Sequence, residues 1–198
     1  RSLVKWLPSF HHCQAVSDHA KIHPAIQPGQ LQRLYQVSKV IHSTLDQQEA
    51  LGLIVREAVG LVNATTGSLV LINPTDSLLE IQAAHGLPGG SSRLKLRMGE
   101  GITGWVAQHG KPALVPDVRE DARYVKVHNH ALSELAIPLE VNGSVCGVIN
   151  VDSNQLNAFS ETDQALLTEL ASQAATVIHN AFLYERSRIR ADLFESLI

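Results

Sequence analysis

The sequence predicts an α+β domain: an antiparallel sheet with helices packed against it. Three observations carry the prediction. Helical hydrophobic periodicity brackets the chain, short apolar or alternating runs fill its middle, and short turns join those runs. Short turns connect antiparallel strands, whereas parallel strands need a long crossover.

Taken in order, residues 1–29 stand apart. They carry His11, His12, His19 and His23 and are broken by Pro8, Pro24 and Pro28, so they read as an arm or linker. From Gln30 the apolar residues Leu31, Leu34, Val37, Ile41 and Leu45 recur at helical steps. Asp46-Gln47-Gln48-Glu49 has capping-box form and starts a second helix, whose buried face is Leu51, Ile54, Val55, Ala58 and Val59. Strands are expected over Ser68 to Ile72, Leu78 to His85 and Arg93 to Arg97, with Asn73-Pro74-Thr75-Asp76 as the first turn. Gly99-Glu100-Gly101 opens a short helix, Ile102 to His109, closed by Gly110. Pro112 to Val115 is short and extended, and Asp117 to His130 is polar and irregular.

Leu135 to Val141 and Ser144 to Val151 flank Asn142-Gly143, a dipeptide suited to a type I′ turn because both positions need positive φ. Ser160-Glu161-Thr162-Asp163 signals a last helix, and no proline or glycine follows it to Ile198. A helix of that run would be roughly 55 Å long, more than one small domain covers. Leu167, Leu170, Ala174, Val177, Ala181 and Tyr184 fall at coiled-coil spacing, so a dimer seam is expected there. The expected division is an arm at 1–29, a domain at 30–182, and a linker helix at 183–198 leading to a missing downstream domain. The chain begins at Arg1 and reads as an excised fragment.

Composition narrows the function. The chain has 198 residues, 44% hydrophobic and 18% charged, with a formal net charge of −3. There is no basic stripe, so no nucleic-acid partner is expected. No segment is apolar enough to span a bilayer, so no membrane partner is expected. The two cysteines, Cys13 and Cys146, make no disulfide framework; this fits a reducing compartment and a cytoplasmic location.

Gly99-Glu100-Gly101-Ile102-Thr103-Gly104-Trp105-Val106-Ala107, with Pro112 and Val115-Pro116-Asp117-Val118, resembles the core signature of GAF domains. Ala136-Ile137-Pro138-Leu139, Gly147-Val148-Ile149-Asn150-Val151-Asp152, then Phe159, Asp163, Leu166 and Leu167 resemble that family's last hairpin and final helix. The resemblance implies a GAF/PAS-like fold, with an antiparallel sheet of about six strands flanked by helices and long terminal helices. It also implies a ligand pocket between the sheet and the segment from Gly101 to His130. In the family such pockets hold cyclic nucleotides, bilins, haem, small anions or metabolites, and many members have no known ligand. The pocket residues it suggests are Ser68, Val70, His85, Trp105, Asp117, Tyr124, Glu134 and Ile137. Asp117 or Glu134 would accept from an amine or amide, and Trp105 and Tyr124 would stack on a ring.

The expected function is a small-molecule-sensing and dimerising module of a larger bacterial signalling protein, whose terminal helices relay to a kinase, cyclase or regulator. The alternative is a structural dimerisation scaffold with a vestigial pocket. A third reading, free methionine sulfoxide reduction, is disfavoured because the domain carries Cys146 alone, with no resolving thiol. No catalytic role and no metal site are expected. The cofactor is unknown, but a covalent bilin is not expected, because Asp117 to Ser133 holds no cysteine. The cyclic-nucleotide pattern is also broken: Gln155 and Gln164 stand where that subset has lysine and glutamate. The histidines at 128 and 130 with Glu134, and His11-His12-Cys13, match no structural zinc spacing.

Overall fold

The computed structural model describes residues 47–87, 95–125 and 131–195, with side chains described as far as Ala181. The expected arm, the helix over 30–45, Asp46 and the seam from Tyr184 onward lie outside these described residues or side chains.

Among the described residues the order is α1 (Gln47–Leu61), β1 (Thr66–Ile72), β2 (Leu79–His85), β3 (Lys95–Leu96), α2 (Gly101–His109), β4 (Ala113–Val115), β5 (Ser133–Val141), β6 (Ser144–Ser153) and α3 (Glu161–Glu195). The strands form one six-stranded sheet in the order β3-β2-β1-β6-β5-β4. Every pairing is antiparallel. The predicted hairpin is present: Asn142 and Gly143 have φ of 50° and 76°, the positive pair that a type I′ turn requires.

Side chains alternate across a strand, and here both faces are used. Leu69 and Leu71 of β1, Leu135, Ile137 and Leu139 of β5, and Ile149 and Val151 of β6 face α1 and α3. There they meet Ile54, Val55 and Ala58 of α1 and Leu166, Leu167, Leu170, Ala174 and Ile178 of α3. Full burial of each such leucine or isoleucine contributes about 1.5–3 kcal/mol, so this layer dominates the domain's stability. The intervening residues Val70, Ala136 and Val148 face the other way, toward Ile102, Val106 and Ala107 of α2 and Val115 and Val118 beyond it. The long helices α1 and α3 thus share one face of the sheet. The short α2 covers the opposite face.

The α3 start is a reciprocal cap. The Ser160 N–H donates to Asp163 Oδ2 at 2.8 Å, and the Asp163 N–H donates to Ser160 Oγ at 3.2 Å. Phe159, just before it, is buried in the core. Of the residues with seam spacing, Leu167, Leu170 and Ala174 are fully buried against the chain's own sheet. They are consumed by the fold, and Val177, the next seam residue, packs half-buried against the same core.

The passage from β3 to α2 depends on close backbone approach. A side chain at Gly104 would place Cβ 2.6 Å from the Arg97 carbonyl oxygen, while Gly99 donates its N–H to the Gly104 carbonyl at 2.9 Å. Gly101 enters the helix at φ 71°, a region open to glycine. This fixes the N-terminal turn of α2 over the sheet.

Sheet packing is tightest at Gly147 on β6, where a Cβ would lie 2.3 Å from the Val70 carbonyl oxygen. Gly147→Ala is expected to destabilise the domain by about 1–3 kcal/mol in a urea titration. Gly60, near the end of α1, has nothing within 4 Å of its would-be Cβ. Gly60→Ala is expected to stabilise by about 0.5–1 kcal/mol in the same assay.

Candidate functional site

The face of the sheet covered by α2 does not fill completely. It leaves a cavity of about 50 Å³. A single water needs about 10–15 Å³ on this scale, so the space accepts a molecule of a few heavy atoms. Its floor is built by register. Glu134 on β5 stands opposite Asp152 on β6, and Asp152 opposite Thr66 on β1. One rung along, Ala136, Asn150 and Ser68 are aligned, and the next rung is Pro138, Val148 and Val70. The floor therefore grades from acidic through amide and hydroxyl to apolar. Leu79, Ile81 and Leu96 extend the apolar end, and Ile102, Thr103, Tyr124 and Val125 form the roof and rim.

The polar end is hydrogen-bonded. Ser68 Oγ donates to Asn150 Oδ1. Thr66 Oγ1 donates to Asp152 Oδ2 at 3.2 Å, and Thr103 Oγ1 donates to Glu134 Oε1 at 3.4 Å. Glu134 is 5% exposed and Asp152 6%. Burial, then the neighbouring Asp152 carboxylate, push the Glu134 carboxyl well above the ordinary carboxylate value of 4.5. Hydrogen bonds from Asn150 and Thr103 oppose this only in part. Tyr124 is likewise raised, by burial first and then by Asp152 and Glu134. The site thus favours neutral Glu134 until something positive approaches.

Two side-chain brackets hold the segment after β4. Asp121 takes the Arg123 guanidinium in two bonds, at 2.9 and 2.6 Å, and also caps the Arg123 N–H. Asp117 does the same with Arg119. The Arg123 guanidinium lies 4.5 Å over the Trp105 ring, which stacks on His109.

The structure brings together four of the eight expected pocket residues: Ser68, Val70, Tyr124 and Glu134. The other four stand elsewhere. Ile137 lies in the core beneath α3, because it is three residues from Glu134 and a strand cannot turn both to one face. His85 would share the cavity face with Leu79 and Ile81 in a regular strand. However, β2 carries a bulge at Gln82, between the pairs Leu69–Ala83 and Val70–Ile81, and His85 ends opposite Gly67 on the other face, exposed. Asp117 is engaged by Arg119, whose hydrogen bonds hold its carboxyl below the usual range. Trp105 sits under Arg123 rather than on the cavity wall. Asn150 lies within β6, bonded to Ser68, while Thr65 and Asn154 tie the loop after that strand. Asn150, Asp152 and Thr103 were missed. Their signal was the alternation of polar Asn150 and Asp152 with Ile149 and Val151 in a strand otherwise apolar.

Cys146 sits where β6 bulges between Leu139 and Glu140 pairings, with Sγ 3.3 Å from the Leu139 carbonyl oxygen. Burial pushes its thiol up to about 12. Among the described residues no group of three or more His, Cys, Asp or Glu is placed to hold a metal ion. No described helix is long and apolar enough to cross a membrane.

Comparison with known proteins agrees with this architecture. The sequence model of the GAF domain family matches residues 44–179, so the chain belongs to the GAF domain family. The Nif-specific regulatory protein of Azospirillum lipoferum is 30% identical over 131 residues, 62% of this chain; the match spans 21% of that protein. The GAF domain of an Acinetobacter phosphoenolpyruvate-protein phosphotransferase superposes with a TM-score of 0.72 at 24% identity, covering 79% of this chain and 96% of that one. Free methionine-R-sulfoxide reductase from Neisseria meningitidis, solved in complex with its substrate, superposes with a TM-score of 0.71 at 22% identity, covering 86% and 99%. These structural likenesses establish a shared fold.

Two predictions follow from the site chemistry. A raised Glu134 pKa means that the folded chain keeps a proton the unfolded chain releases. Stability from this group is therefore full below the ordinary value of 4.5 and falls as pH rises toward the raised one. Glu134→Gln removes that fall, so in urea titrations between about pH 4 and pH 8 the variant should gain on the parent as pH increases. In a Cys13→Ser background, iodoacetamide at about pH 8 should alkylate folded Cys146 on the order of 10²–10³-fold more slowly than the urea-unfolded chain, because the thiolate is suppressed.

Proposed function

We propose that this GAF domain is a non-catalytic, small-molecule-sensing module of a larger cytoplasmic signalling regulator. One observation carries the reading. Strand β5 serves the cavity and the output helix with alternate residues: Glu134 lines the cavity, while Leu135, Ile137 and Leu139 bed α3. A ligand that shifts β5 therefore displaces the surface on which α3 rests, one residue away. The helix continues to Glu195, past Ile178, the last buried core residue among the described side chains. That extension suits a relay to a downstream effector and pairing with a second copy.

Similarity to a Nif-specific regulatory protein supports a regulatory role. Against the reductase reading, the protonated Cys146 thiol is a poor nucleophile, and it lies under the helices rather than in the cavity. The scaffold alternative keeps the same dimeric helices but no ligand. A thermal-shift screen against metabolites and nucleotides is the test. A ligand raising Tm by about 2–4 °C, lost in the cavity variant Ser68→Leu, is the expected outcome, since that shift corresponds to about 1 kcal/mol of binding linkage. A chain insensitive to the whole screen, yet dimeric by light scattering, would establish the scaffold instead.

A further inference from the structure

The cavity's two ends differ in a way that specifies ligand chemistry. At one end, Glu134 and Asp152 face each other across β5 and β6, both more than nine-tenths buried. Ionised carboxylates only accept hydrogen bonds, and two of them directly opposite repel. Among the described residues, the arginines of the segment after β4 pair with their own neighbours, Arg123 with Asp121 and Arg119 with Asp117, each through two bonds. At the other end the lining is apolar, from Val70, Leu79, Ile81 and Leu96. An anionic ligand would bring a further negative charge against a buried acidic pair, one of whose members already favours its protonated form. A neutral apolar ligand would leave the polar end without new donors. An ammonium group has three donors and no acceptor, the complement of the acidic rung.

We propose that the cavity takes a small organic cation, a primary ammonium seated between Glu134 and Asp152 on a short apolar body lying along Val70, Leu79, Ile81 and Leu96. The proposal rests on the ligand-sensing reading and adds the class of ligand. Because the empty site favours protonated Glu134, the incoming cation expels that proton, and binding strengthens as pH rises from the ordinary carboxylate value. Among the described residues, the titratable groups that face Glu134 are Asp152 from β6 and Asp121, Arg123 and Tyr124 from the segment after β4. The α2 residues that line the cavity, Gly101, Ile102 and Thr103, carry no ionisable side chain.

The test is an NMR titration of the ¹⁵N-labelled chain with n-butylammonium, n-butanol and butyrate, read at the amides of Val70, Thr103, Glu134, Asn150 and Asp152. The expected result is that n-butylammonium binds about tenfold more tightly than either of the others, the scale of one charge-assisted bond. That preference should grow with pH, and should collapse in both Glu134→Gln and Asp152→Asn. Two variants are used so that misfolding of one, detected by its own spectrum, leaves the other decisive. Equal or tighter binding of butanol or butyrate at these amides overturns the cation proposal while leaving the sensing reading intact. Amine binding that persists in both folded variants also overturns it. So does absence of any shift at these amides with all three compounds; the thermal-shift screen then decides the sensing reading separately.

Discussion

The structure depends on the burial of β1, β5 and β6 on both faces. In a strand with one wet face, alternate residues are free. Here, over residues 68–71, 134–139 and 148–152, odd positions go to the helices and even positions to the cavity side. A slip of one residue would carry Leu135 and Ile137 into the cavity and Glu134 under α3, exchanging a hydrophobic core for a buried charge. The register of the acidic rung is thus held by the core on the opposite face. The Asn142-Gly143 turn and the bulge at Cys146 set that register from the hairpin end.

The same commitment explains how so small a cavity can carry acidic groups. The α1 and α3 layer supplies most of the apolar burial, which leaves the α2 face free to carry groups that cost stability. Glu134 and Asp152 are such groups. Placing two carboxyl groups side by side away from water disfavours their charged forms, which is why the Glu134 pKa is raised. The proposed cation would relieve that cost on binding. Natural proteins tolerate such local conflict where function demands it.

Legibility in the sequence followed the range of the interactions. Turns, caps and periodicity are local, and Asn142-Gly143, Ser160 with Asp163, the β3–α2 glycines and the strand runs were read at nearly their observed positions. Among strand residues, placement on the cavity was legible only where strand parity was undisturbed. Ser68, Val70 and Glu134 obey it. His85 left the cavity because of a bulge two to three residues upstream that no composition marks, and Ile137 was assigned against the parity of its own strand. Trp105 and Asp117 were claimed by arginines two to eighteen positions along the chain, partnerships that depend on the path of the segment after β4.

What the sequence determined by itself is the set of elements, their order, the antiparallel pairing of neighbours in the chain and the GAF family. These follow from local backbone preference and from which residues avoid water. Tertiary structure alone decided which strands far apart in sequence align, and so that Asp152 lies between Glu134 and Thr66 and that α2 closes a different face from α1 and α3. The reason is physical: hydrophobic periodicity states that a face is buried but not against what, whereas register and bulges state which polar groups meet there.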